Sequence, residues 1–161
     1  MNYFYNEIKE MAKDKKVDIY VDMDGVVADY ELLNFEKVKT SPDAYLNKRP
    51  ITTVINILKD LSKLDNITIY ILSIAKQENQ INGKLVWLSK NMDFIPLSNI
   101  NIIPRDTNEW KKACILKKEF LKGNHNKKNI SLMIDDSHDV LRELQDLDIN
   151  IIPVHISSVI D

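Results

Sequence analysis

Five short apolar runs, Val17–Val21, Ile67–Leu72, Ile100–Ile103, Ile130–Ile134 and Ile149–Val154, are separated along the chain by longer segments of helical period. Short runs dominated by β-branched residues predict strands buried on both faces, and their alternation with helices predicts parallel crossovers. The expected fold class is α/β, a doubly wound parallel sheet. Ile51, Val54, Ile55, Leu58 and Leu61 share one helical face, and Val140, Leu141, Leu144 and Leu147 share another behind Ser137, a suitable N-cap. These stripes face the core. Ligands in such sheets bind beyond the carboxyl ends of the strands, at the point where strand order reverses.

Two of those ends carry acids. Asp22-Met23-Asp24-Gly25 follows the first run directly, and Asp135-Asp136 follows the fourth. Carboxylates two residues apart at a strand end can divide labour, one attacking phosphorus while the other handles protons. Gly25 permits a sharp turn beneath them. Acids gathered without cations would repel one another and protonate, whereas a hard cation such as Mg2+ takes oxygen ligands from carboxylates and a substrate phosphate. The pattern therefore points to metal-assisted phosphoryl chemistry. If the first strand is central, with the second and fourth on either side, Asp22, Ser73 and Asp135 converge on one crevice.

The 161 residues, 44% of them hydrophobic, suit a single domain spanning 1–161. A formal net charge of -2 with dispersed signs offers no field for gripping nucleic acid, so a polymer substrate is not expected. No apolar run approaches the roughly 20 residues needed to cross a bilayer. The single cysteine, Cys114, lies in a helical pattern and reads as a small core residue, and the charged start of the chain has no apolar signal segment. A cytoplasmic location is expected. The three histidines lack metal-ligand spacing. Nothing in the sequence speaks to oligomeric state.

The acidic motifs resemble those of the haloacid dehalogenase superfamily of aspartate-nucleophile phosphatases, with Asp22-Met23-Asp24-Gly25-Val26 similar to the first motif and Asp135-Asp136 to the fourth. Ser73, closing the second apolar run, is similar to the second motif. For the lysine of the third, the segment Asn108–Ala113 offers Lys112, with Lys111 in reserve. The stretch Asp22 to Glu31 is similar to the first motif of the 5′(3′)-deoxyribonucleotidases, as are Ser73–Lys76, Lys84, Trp87 and Arg105-Asp106 in their order. The cap between the first two motifs, at about 29–50, is shortened.

The resemblance implies an aspartyl-phosphate on Asp22, with Asp24 as acid and then base, and a phosphate held by Ser73 and Lys112 or Lys111. It implies Mg2+ held by Asp22, the backbone carbonyl of Asp24 and one of Asp135 and Asp136, and a nucleobase stacked on Tyr30. Lys76 and Arg105 stay outside this core set. The expected substrate is a small phosphate ester, foremost a 5′ or 3′ nucleoside monophosphate of the deoxyribose series. A phosphatase for another small ester, and a non-catalytic phosphate-binding protein of the same fold, are the alternatives.

Overall fold

In a computed structural model, residues 2–30, 42–145 and 150–161 are described. Five parallel strands, β1 (Val17–Val21), β2 (Ile67–Ala75), β3 (Ile100–Pro104), β4 (Ile130–Asp135) and β5 (Ile151–His155), form one sheet in the order β3-β2-β1-β4-β5. Six helices accompany them among the described residues: α1 (Tyr3–Met11), α2 (Thr52–Leu61), α3 (Ile81–Asn91), α4 (Ala113–Asn124), α5 (His138–Gln145) and α6 (Ser157–Ile160).

The central strand is buried at every position, which explains a mainly apolar run, and its one charged residue, Asp18, accepts from Asn129 Nδ2 at 2.9 Å. Its neighbours are β2 and β4, in registers pairing Val21 with Ile71 and with Ile134. Strand order therefore reverses at β1, and the carboxyl ends of β1, β2 and β4 open onto one crevice, as the hydrophobic pattern predicts. One apolar cluster packs α1 and α2 against the sheet through Phe4, Ile8, Val54, Leu58 and Leu61, together with Trp87 and Leu88 of α3. A second joins α4 and α5 to the other side through Leu121, Val140 and Leu144.

Strand lengths differ from expectation chiefly at β2, which continues beyond Leu72 to Ala75. Hydrogen-bonded register with β3, from Ile71–Ile100 to Ala75–Pro104, sustains that extension, so Ser73 lies inside the strand and not at its end. Half of the expected cap, residues 31–41, falls outside the described residues, as do Leu147 and Ile149. The described part, residues 42–50, docks on α3. Trp87 Nε1 donates to the Lys48 carbonyl at 2.8 Å, Tyr45 meets Trp87 edge-on, and a Cβ on Gly83 would press on the Pro42 carbonyl. Among the described residues no helix is long and apolar enough to cross a membrane.

Candidate active site

The chain leaves β1 at Val21, and Asp22 still donates its backbone N–H to the Ile134 carbonyl of β4 at 3.0 Å. A tight turn follows, with the amides of Val26, Val27 and Ala28 all directed at the Met23 carbonyl. Gly25 has φ +77°, a left-handed conformation costly for any residue with a Cβ. Space forbids a Cβ as well, since it would overlap the Asp136 carboxylate and the Tyr30 ring. The glycine is thus the floor on which one acid from β4 and one aromatic from the cap segment rest.

Asp22, Asp24, Tyr30, Lys76, Arg105 and Lys117 share an open cleft of about 380 Å³ with Asp135 and Asp136. Asp22 and Asp24 are only two residues apart, yet they hang on different cations. Lys117 of α4, 3% exposed, reaches Asp22 Oδ1 at 2.9 Å and Asp135 Oδ2 at 2.6 Å. Lys84 of α3, 4% exposed, reaches Asp24 Oδ2 at 2.9 Å and also donates to Ser73 Oγ and the Ile74 carbonyl, each at 2.8 Å. Lys48, from the segment docked on α3, adds a 2.5 Å contact to Asp24 Oδ1.

These pairings separate the two acids electrostatically. Burial, reinforced by the charges of Asp135 and Asp24 and only partly opposed by Lys117 and Lys84, pushes Asp22 up to about 6. Burial would raise Asp24 too, but the ammonium groups of Lys84 and Lys48 outweigh it and hold Asp24 down at about 2. Asp136 is raised by burial and by the Asp22 charge. Tyr30 is raised as well, by burial and then by the Asp136 carboxylate to which its hydroxyl is hydrogen-bonded.

Ser73 is fully buried, with its hydroxyl accepting from Lys84 rather than lining the cleft. The lysine expected at 112 or 111 stands elsewhere. Lys112 is exposed in extended backbone at the N-cap of α4, and Lys111 pairs with the exposed Glu119 at 3.3 Å. The ammonium that reaches Asp22 and Asp135 belongs to Lys117, more than one helical turn further on, on the buried face of α4 with Leu116 and Leu121.

Two buried lysines were thus missed as charged groups of the site, and both carried a signal. Lys117 lies between Ala113 and Cys114 one turn before and Phe120 and Leu121 one turn after; Lys84 lies between Ile81 and the buried pair Trp87 and Leu88. A lysine set in the apolar stripe of a helix needs an internal partner. Lys48 had no such signal, since it belongs to no periodic segment.

Asp22, Asp135 and Asp136 each offer an oxygen within 4.8 Å of the others. This donor set contains only oxygen, and two of its members are raised toward protonation because the nearby ammonium groups do not neutralise them fully. A hard divalent cation fits that chemistry. The Asp24 side chain is engaged by Lys48 and Lys84 and does not belong to the cluster.

No protein-family model matches the chain, and no curated protein does. Among solved structures it is similar to a chain of the Pnkp1/Rnl/Hen1 RNA repair complex, with a TM-score of 0.66 and 21% identity over 88% of this chain and 43% of that one. A further structure of the Pnkp1/Rnl/Hen1 complex gives the same TM-score and identity, with 46% of its chain covered. The class C acid phosphatase from Bacillus anthracis with tungstate bound is similar at a TM-score of 0.54 and 14% identity, over 97% of this chain and 76% of that one. The fold is haloacid dehalogenase-like. The chain spans less than half the length of the RNA repair chains it matches. In this haloacid dehalogenase-like sheet the acidic cluster lies beyond the carboxyl ends of β1 and β4.

Proposed function

We propose that the protein is a Mg2+-dependent phosphomonoesterase acting on nucleoside monophosphates, deoxyribonucleotides foremost, through an aspartyl-phosphate on Asp22. The observation that carries this reading is the division of Asp22 and Asp24, neighbours at one strand end, between two separate cationic environments. Similarity of fold to an acid phosphatase supports a phosphate ester as substrate.

In this reading Asp22 Oδ attacks phosphorus in line, and the alcohol leaves on the opposite side. Lys117 holds Asp22 and Asp135 in place and faces the oxygens that gain negative charge. Ser73 Oγ accepts from Lys84 and so helps hold that ammonium beside Asp24. Asp24 is a carboxylate in the resting site, which suits the second step, removal of a proton from the attacking water. Its service as acid in the first step requires release from one of its two lysines, and Lys48, on the segment beside the cap, is the one not built into a helix.

Asp135 is already engaged by Lys117 and, through Oδ1, by the Ser137 amide at 2.9 Å, so it orients the site. Asp22, Asp136 and the Asp24 carbonyl are the groups left to hold Mg2+, which when bound would neutralise the phosphate and the acids around it.

The test is phosphate release with and without Mg2+ from deoxy- and ribonucleoside monophosphates, an aryl phosphate and a 3′-phosphorylated oligonucleotide, with Asp22→Asn as control. Metal-dependent release lost in that variant, with nucleotides ranked first, is the expected result. Preference for the aryl ester would return the assignment to a general small-ester phosphatase. Nucleotide binding with no turnover of any compound would favour the non-catalytic alternative.

A further inference from the structure

Between the end of β3 at Pro104 and the start of α4 at Ala113, the chain makes a turn with two successive left-handed residues, Glu109 at φ 57° and Trp110 at φ 54°. Neither is glycine, and an L-residue is strained there. The turn is held by its neighbours. The amides of Asn108 and Trp110 donate to the Arg105 carbonyl at 3.0 and 2.9 Å. The Arg105 guanidinium returns to the Lys111 carbonyl at 2.8 Å and the Trp110 carbonyl at 3.1 Å, and Asn108 Nδ2 ties the turn to the Pro104 carbonyl at 2.7 Å.

What this bracing secures is not packing, because the Trp110 indole is 50% exposed. Large aromatics are ordinarily drawn inside, and the other tryptophan of the chain, Trp87, is 1% exposed. Strained backbone held rigidly by surrounding bonds concentrates where a ligand is positioned. The turn is also at the right place, for Arg105 at its start and Ala113 at its end both line the cleft that holds Asp22. Lys76 lines the same side, and among the described residues neither Lys76 nor Arg105 forms an ion pair.

Tyr30 is differently placed. Its hydroxyl is bonded to Asp136 and its ring rests against Gly25, so it forms part of the wall around the acidic cluster. Tyr30 keeps 47% of its surface exposed within the cleft and can meet a base beside the acids, and Trp110, on the turn that starts at Arg105, offers a second exposed face.

Resting on the nucleotide reading above, we propose that Trp110 is the platform on which the base of the substrate stacks, with Lys76 and Arg105 facing the negative charge of the phosphate between base and Asp22. Stacking on an indole tolerates any base, so discrimination among bases is weak while discrimination against esters without a base is strong. Arg105 acts as a positioning residue through the two carbonyls it holds.

The test uses the contrast between the two tryptophans. In metal-free protein the acrylamide-quenchable fluorescence reports Trp110, and deoxythymidine or adenosine monophosphate should shield it whereas ribose 5-phosphate should not. In turnover with Mg2+, Trp110→Ala should lower kcat/KM for nucleoside monophosphates relative to ribose 5-phosphate by about tenfold, through KM, with Trp110→Phe restoring most of the selectivity. Arg105→Lys, which keeps the charge but loses the fork, should shift selectivity in the same direction. Equal shielding by ribose 5-phosphate, or an equal fall on both substrates, overturns the proposal while leaving the phosphatase reading intact. Absence of all turnover by the unaltered protein overturns that reading instead, and the quenching result still decides whether nucleotides meet Trp110.

Discussion

Replacing Lys117 by methionine keeps the hydrocarbon stem and removes only the ammonium. The stem packs where it did, but Asp22 and Asp135, 7% and 0% exposed, lose the cation that sits 2.9 and 2.6 Å from them. Removing one partner of a buried ion pair costs about 3–5 kcal/mol, because the remaining charge keeps its desolvation penalty and loses its compensation. Against a typical total of about 5–15 kcal/mol, such a loss is visible as a large fall in the urea midpoint. Two further consequences follow from the same charge count. The stability lost should be partly recovered by lowering the pH toward 5, where Asp22, already raised to about 6 with Lys117 present, takes up a proton. It should also be partly recovered by Mg2+, a second cation offered to the same acids. Phosphate release should fall by about 10²–10³-fold, as when one preorganised donor to a developing oxyanion is lost. Lys112→Met, at an exposed helix cap, should stay within about 0.5 kcal/mol of the parent and retain activity. The reasoning is refuted if Lys117→Met matches Lys112→Met in urea midpoint and phosphate release, or if lower pH destabilises it further.

Asp22 and Asp24 should leave opposite marks on the pH dependence of metal-free stability, measured by urea denaturation. Asp22 is raised from an ordinary 3.8, so its contribution is present at low pH and is lost as pH rises through about 6; Asp24 is lowered, so its contribution is present above 3.8 and is lost as pH falls through about 2. Asp22→Asn should abolish the slope between pH 4 and 6, and an unchanged slope would remove the premise that burial governs that carboxylate. Gly25→Ala, combining a left-handed φ with overlap on Asp136 and Tyr30, should destabilise by more than about 1 kcal/mol and weaken Mg2+ binding measured by calorimetry. Unaltered Mg2+ affinity in a folded Gly25→Ala protein would separate Asp136 from the metal. Lys84→Met, which leaves Asp24 with Lys48 alone and takes the ammonium from Ser73, should lower the urea midpoint and displace the Asp24 titration upward, followed by carboxylate NMR. An Asp24 signal still titrating near 2 would show that Lys48 alone suffices.

The sheet was legible because burial on both faces leaves little freedom in residue choice. Val17–Val21 is buried along its length and polar only at Asp18, which accepts from Asn129, and at the Tyr20 hydroxyl, and the acids that follow are conspicuous against it. Asp22, Asp24, Asp135 and Asp136 could be assembled without a structure because parallel topology brings the ends of β1 and β4 together wherever the intervening helices run. The lysines were harder. A helix carries a side chain inward according to its rotation, and Lys112 and Lys117 differ by five residues, about 500° of turn, so taking the lysine from the segment Asn108–Ala113 selects a group that is exposed. Reading α4 by its apolar stripe instead places Lys117 among Cys114, Phe120 and Leu121. Ser73 was found in sequence, but its depth inside β2 follows from pairing with β3, which no local pattern records.

The cations explain why two aspartates on one short turn can do different work. Asp22 is the more deeply buried, its side chain 9% exposed against 27% for Asp24, yet burial by itself would raise both, and sequence distance does not distinguish them. What does is the direction of approach of two helices. α4, which crosses from β3 to β4, gives one ammonium to be shared between Asp22 and Asp135, less than one positive charge per acid. α3 follows β2 and gives Lys84 to Asp24, which also receives Lys48, two positive charges on one acid. The first acid is left under-compensated and, in the proposed reading, takes a divalent ion and an electrophilic phosphorus; the second is over-compensated and stays ionised beside it. In the proposed reading, an acid-base pair whose members are pushed in opposite directions by their surroundings is the electrostatic arrangement that covalent hydrolysis uses, and here the opposition follows from which helix supplies each lysine.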